Sequence, residues 1–264
     1  MKEQILKEIH YLSDKIEKVN ATYNSKDIRV SFFDSLHVTL CHYLLHIEII
    51  NASSFEEIYK EILNIKSFNN NDLKRERQNI INNANSTLII ESWSNFELFV
   101  SFLTASSFDA KTKTKMLESD YNELIRCMKQ NGIDASDVEC LKKTKKSLYH
   151  LIPANTKITK LLSTIKDKFI SEQEWKDNLE FVLNFGRLRN CIHSNYIFQG
   201  KNTIEYTFEG VTIKYVPNEP IIVTPNSPEL IFRMVIKLRK LGEFIIDNIN
   251  YPGVIYDPSH MLIE

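Results

Sequence analysis

Apolar residues recur every three or four positions along most of this chain, and that spacing commits it to helices. The first 20 residues carry Ile5, Ile9, Leu12, Ile16 and Val19 on one seam, with charged residues elsewhere. SFFDSLHVTLCHYLLHIEII (31–50) is apolar around most of its circumference, with a main stripe of Phe33, Leu36, Leu40, Leu44 and Ile47, as a central helix must be. Ile89, Trp93, Phe96, Val100 and Leu103 mark a long helix over 77–107. Phe181, Phe185, Leu188, Ile192 and Tyr196 mark another, and Ile231, Val235, Leu238, Leu241, Ile245 and Ile249 the last. With only 6 glycines in 264 residues and 43% hydrophobic content, the expected fold is an all-α helical bundle with a sizeable core.

One stretch breaks the rule. After Gly200 the period changes to two: Ile204, Tyr206 and Phe208 alternate with polar residues, Glu209-Gly210 supplies a turn, and Val211, Ile213 and Tyr215 return. A small β-hairpin is therefore inserted before the last helix, and IIVT (221–224) is a candidate third strand. Ser171 with Glu174 three residues on has the spacing of a capping box, so a helix starts near 172. Ser227 and Pro228 have the form of a cap and first position for the final helix. A short helix is expected near 54–65. The polar run SFNNNDLKRER then reads as a boundary between an N-terminal helical region, 1–70, and a second unit, 71–264; both could also complete one bundle.

Composition narrows the function classes. The formal net charge is −1, so the chain as a whole does not present a nucleic-acid coat's field. Residues 109–170 are locally basic, with Lys142, Lys143, Lys145 and Lys146 clustered; these read as a solvated helix face or as a patch that tracks an RNA backbone. No apolar run approaches the roughly 20 residues that span a bilayer, so no membrane association is expected. The N-terminus, MKEQILKEIHYLSDKIEKV, is amphipathic and charged rather than a signal peptide, which makes the cytoplasm the expected location. Cys41, Cys127, Cys140 and Cys191 lie far apart with no C-x-x-C pair, against a zinc ribbon or a disulfide framework. His42 and His46 have the i,i+4 spacing of two zinc ligands, but no Glu follows His42 and no third ligand is evident. They read as core or interface histidines, and neither a metal nor a cofactor is expected.

The chemically loaded segment is RLRNCIHSNY, 187–196. Positions four apart on a helix differ by about 40°, so Arg189 and His193 share a face, with Asn190 beside them. Arg187 points about 120° away from His193 by the same geometry. Gly186, one turn earlier, leaves room for another backbone to approach. Arg can clamp a phosphate bidentately and His can exchange a proton near neutrality, a set suited to a phosphodiester. The bland alternative is a surface Arg and a satisfied His at a helix C-terminus, where positive charge is favoured by the dipole.

The same segment resembles the Arg-Asn-x-x-x-His signature of HEPN (higher eukaryotes and prokaryotes nucleotide-binding) domains. ANSTLIIESWSNFELFVSFL is similar to the family's earlier helix, with a Glu near an aromatic residue, and the hairpin and last helix are similar to those of bacterial members. The resemblance spans about residues 77–250. It implies a metal-independent endoribonuclease of a toxin–antitoxin or anti-phage defence system, acting on RNA, tRNA anticodons among the plausible targets, as a homodimer, with an antitoxin or defence-system protein as a separate partner. On that reading His193 transfers protons, Arg189 stabilises phosphate, Asn190 orients one or the other, and Glu97 is a further catalytic candidate. The family writes Arg, four to six residues, His; Arg187 satisfies that gap and Arg189 the Arg-Asn dipeptide, so both stay open. The rival expectations are a non-catalytic helical interaction module and a nucleotide-sensing subunit.

Overall fold

The computed structural model describes residues 1–63, 70–132, 152–221 and 228–258. Among them are eight α-helices and one hairpin: α1 (Lys2–Thr22), α2 (Ile28–Asn51), α3 (Phe55–Leu63), α4 (Asn70–Ser107), α5 (Ala110–Gln130), α6 (Ala154–Thr164), α7 (Glu172–His193), β1 (Ile204–Phe208), β2 (Val211–Tyr215) and α8 (Pro228–Asn248). A helical bundle with a hairpin before its last helix is thus what the periodicity specified. No helix of the described residues is long and apolar enough to cross a membrane.

The long helix α4 is the axis of the bundle, and α2, α6, α7 and α8 all pack on it. Its aromatic residues explain why. Trp93, Phe96 and Phe99 are buried on one side of α4, where Phe99 stacks on Phe32 of α2 at 4.8 Å and Trp93 on Phe185 of α7 at 6.0 Å. Such contacts add to the burial of large apolar rings. One continuous core contains Ile5 and Leu12 of α1, Phe33, Leu36 and Leu40 of α2, and Leu238 and Ile245 of α8. Helices α1 and α2 therefore share an interior with α4, α6, α7 and α8, while α5 packs in a separate cluster around Met116, Leu117 and Ile152.

Two buried ion pairs tie the ends of the chain together. Arg239 of α8 bonds through Nε to Glu8 of α1 at 2.7 Å and through Nη1 to Glu243 at 2.7 Å. Arg29, 1% exposed, pairs with Asp27, which is fully buried. Its guanidinium donates to the Asp27 carboxylate and to the carbonyls of Tyr251 and Gly253, while the Asp27 carboxylate also accepts from the Ile255 amide at 2.9 Å. The same Asp27 side chain caps α2 by accepting from the Arg29 amide.

Several local expectations meet their geometry. The hairpin pairs Phe208 with Val211, and Glu209 and Gly210 both take positive φ, 47° and 81°. That is the handedness a two-residue hairpin turn requires. Ser171 Oγ accepts from the Glu174 amide at 3.0 Å, and the Glu174 carboxylate reaches back to the Ile170 amide at 2.7 Å. The reciprocal bond falls one residue earlier than in the usual box, with the same effect of pairing a free donor. Others are corrected. Helix α4 begins at Asn70 rather than near 77: the end of the polar run forms its first turns, where residues 71–77 are mostly charged or polar and exposed or half-buried, with Asp72 in the first turn. His42 and His46 are exposed rather than buried in a core, and the His46 ring bonds the His42 carbonyl. Most of the candidate third strand (222–224) and the Ser227 cap lie outside the described residues.

Candidate functional site

The last turns of α7 carry the candidate residues, and the chain beyond them decides which face becomes a cleft. Helix α7 stops at His193, after which Asn195 and Tyr196 adopt left-handed backbone at φ 55° and 65°. The Tyr196 amide turns back to the Cys191 carbonyl at 2.7 Å, and the Ser194 amide to the carbonyls of Asn190 and Cys191. This is a helix-ending arrangement that satisfies terminal carbonyls. The segment that follows is held by the turn leaving the hairpin: Ile197 bridges Pro220, and Phe198 exchanges backbone hydrogen bonds with Glu219 and Asn218. Phe198, buried, lies 5.4 Å from the Tyr215 ring.

That fold-back encloses a cleft of about 390 Å³ lined by Arg187, Asn190, His193 and Ser194, with Cys191 and Phe198 also on its wall. Arg187, Asn190, Cys191 and Ser194 are spaced i, i+3, i+4 and i+7, one face of a helix, and His193 sits at its border. Arg189 is not among the residues lining it. Arg189 does share a side with His193, as helical geometry requires, yet it approaches the cleft only through Asn190, whose Oδ1 accepts from Arg189 Nη1 at 3.1 Å. The Arg189 Nε is buried with no hydrogen-bond partner.

Arg187 is the better positioned cation. Its Nη1 donates to Asn184 Oδ1 at 2.8 Å. Asn184 is 1% exposed, donates its own amine to the Glu180 carbonyl, and offers its main-chain carbonyl to Tyr215 Oη at 3.3 Å. Burial pushes the Tyr215 phenol well above its ordinary range, an effect the Arg187 guanidinium opposes. Asn184 is thus a positioning residue that sequence reading passed over; its only signal was a polar side chain one turn before Arg187 within an apolar stripe. Burial also pushes the Cys191 thiol up to about 11, which favours its protonated form near neutrality.

The remaining candidates are elsewhere. Gly186 does admit a close neighbour, but that neighbour is a side chain rather than a backbone: a Cβ there would lie 2.7 Å from the Trp93 indole. Glu97 acts on Lys157 of α6, whose ammonium burial holds below its usual range while the Glu97 carboxylate works the other way. It does not line the α7 cleft. Lys142, Lys143, Lys145 and Lys146 lie outside the described residues. No group of three or more His, Cys, Asp or Glu that could hold a metal ion occurs among the described residues.

Comparison of the chain with family models, with curated proteins and with solved structures finds no match in any of the three.

Proposed function

We propose that this protein is an endoribonuclease that cleaves RNA by 2′-OH attack, with its cleft at the C-terminal end of α7 completed in a homodimer. The observation that carries the reading is the convergence of Arg187, Asn190 and His193 on one cleft. The resemblance of this segment to the HEPN signature supplies the class of chemistry, and the choice between arginines follows the geometry. Arg187, anchored by Asn184, is assigned to the phosphate. Arg189 is assigned to Asn190, which it holds in orientation.

The reaction needs a base, an acid and positive charge on the phosphate. His193 takes the proton of the 2′-OH as O2′ bonds to phosphorus. The P–O5′ bond breaks, and O5′ receives a proton from the imidazolium of the partner's His193. The products are a 2′,3′-cyclic phosphate and a 5′-hydroxyl, and the two imidazoles have exchanged roles with no net proton consumed. A single His per chain cannot fill both roles at once, which is why a two-fold arrangement, the commonest oligomeric symmetry, is part of the proposal. Arg187 neutralises the charge that gathers on the non-bridging oxygens.

A second reading, a helical module that binds a partner protein, is favoured by one observation. Val38, Leu45 and Ile49 form a stripe along α2 and are 43%, 59% and 55% exposed. An antitoxin or other defence-system partner could cover it, and such a partner is compatible with either reading. Two measurements separate them. Expression of the free chain is toxic to its host if it cleaves RNA, and Arg187→Ala relieves that toxicity more than Arg189→Ala does. Sedimentation of the purified chain then shows a dimer under the conditions of cleavage; cleavage by a monomer overturns the two-fold site.

A further inference from the structure

On the other side of α7 is a second and larger cavity, of about 520 Å³, that the cleavage chemistry does not use. Its polar wall is the amino-terminal half of α4, where Glu76, Asn79, Asn82, Asn83, Asn85 and Ser86 face it. Its opposite wall is aliphatic, from Leu188 and Ile192 of α7 and Ile231 and Met234 of α8. The volume lies within the range of small-molecule sites, and the pairing of an apolar wall with a few convergent polar groups is typical of them.

The lining selects the ligand. No Lys, Arg or His of the described residues lines the cavity, so none of their cationic side chains is placed to clamp a phosphate there. Carboxamides both donate and accept, and the aliphatic wall offers an apolar surface. An uncharged, planar heterocycle with donors and acceptors along one edge fits both at once. The polar wall is also fixed in place. Asn85 is 4% exposed, and its Oδ1 accepts from the buried Tyr43 hydroxyl at 2.8 Å, which leaves Nδ2 to donate into the cavity. At the rim, the Tyr196 hydroxyl bonds Ser86 Oγ, so an aromatic ring held by the left-handed backbone at 195–196 lies at the mouth. A non-glycine residue kept in that conformation is often part of a functional site.

We propose that this cavity binds a nucleobase, with its edge against the Asn85 amide and the other α4 carboxamides and its face on the Leu188, Ile192 and Ile231 wall. The pocket stands on its own geometry; only the identification of its ligand as a base of the RNA strand rests on the ribonuclease reading. Under that reading Ile192, on the pocket's wall, and His193, at the cleft's border, are adjacent on α7, so one strand can place a base in the pocket and a phosphate in the cleft.

The test is titration of the full chain with adenosine, guanosine, cytidine and uridine, followed by saturation-transfer NMR. At least one nucleoside saturates, and its 5′-monophosphate binds no more tightly. Asn85→Leu weakens that binding by about tenfold, the loss of one well-made hydrogen bond. Tyr196→Ala, at an exposed rim position that leaves the core untouched, weakens it several-fold. His193→Ala leaves nucleoside affinity unchanged, so binding is read separately from cleavage. A tetranucleotide that competes with the nucleoside and binds more tightly identifies an RNA strand as the source of the base; equal affinity identifies a free nucleoside. The proposal is overturned if no nucleoside saturates up to about 10 mM, if Tyr196→Ala and Asn85→Leu both keep full affinity, or if affinity depends on the 5′-phosphate and is lost in Arg187→Ala.

Discussion

Replacing Arg29 with Met tests how the ends of this chain are held together. The substitution keeps most of the apolar stem and removes the guanidinium. What remains is the Asp27 carboxylate, fully buried, with hydrogen bonds from the Arg29 and Ile255 amides but without its cation. The carbonyls of Tyr251 and Gly253 lose their donors as well, and the Tyr23 ring loses the guanidinium 3.4 Å from its centre. Removing one member of a buried, hydrogen-bonded ion pair costs about 3–5 kcal/mol. That is a large share of the roughly 5–15 kcal/mol that stabilises a typical domain. Urea unfolding followed by circular dichroism reads the loss. The double variant Asp27→Leu/Arg29→Met discriminates the cause: if the stranded charge dominates, removing it recovers part of the loss, and the double variant is more stable than Arg29→Met alone. A loss below about 1 kcal/mol in Arg29→Met, or a double variant worse than the sum of the single ones, refutes the reasoning.

Gly186→Ala destabilises the fold by about 1 kcal/mol, because crowding against the packed Trp93 ring costs about 1–3 kcal/mol while the helix gains about 1; thermal unfolding checks the sign, which is opposite to that of a free helical glycine. Glu243 is half-buried, which raises its pKa, but the hydrogen bonds from Lys15 and Tyr11 and the nearby Arg239 outweigh that and hold it below the ordinary value of 4.5. Its contribution to stability is therefore present above pH 4.5 and is lost as pH falls below that value, and Glu243→Gln flattens this part of the pH–stability profile. Cys191, buried with its thiol pushed up to about 11, resists iodoacetamide at pH 8 in the folded protein and reacts on unfolding, as peptide mass mapping of the alkylated chain reads out.

The parts of this fold that could be read directly are those whose causes are local. Tyr206, Phe208, Ile213 and Tyr215 alternate and are all buried on one face of the hairpin, and Gly210 tolerates the turn they need. Ser171 and Glu174 announce the start of α7 within four residues. The start of α4 was hidden because its first turns bury no residue of 71–80 fully and carry little apolar period to detect. The neighbour of Gly186 was hidden for another reason: Trp93 comes from a helix far away in sequence.

The candidate site divides in the same way. Residue types and helical spacing marked out Arg189, Asn190 and His193, and Arg187 entered through the Arg-to-His gap of the family signature. They could not say which face of α7 becomes a cleft, since that depends on Asn195 and Tyr196 turning the chain and on Ile197 and Phe198 docking against 218–220. Helical geometry alone groups Arg189 with His193. The return of the chain puts Arg187 there instead. The asparagines of α4 were visible as composition, NNANS at 82–86, but become a wall only when α7 and α8 close over them.

The most direct test is incubation of end-labelled RNA with the natural chain and with His193→Ala in excess EDTA, followed by analysis of the product ends. Cleavage by the natural chain is expected to leave 2′,3′-cyclic phosphate and 5′-hydroxyl ends and to be lost in a folded His193→Ala protein. Uncut RNA, or cleavage that survives the loss of His193, would contradict the ribonuclease reading.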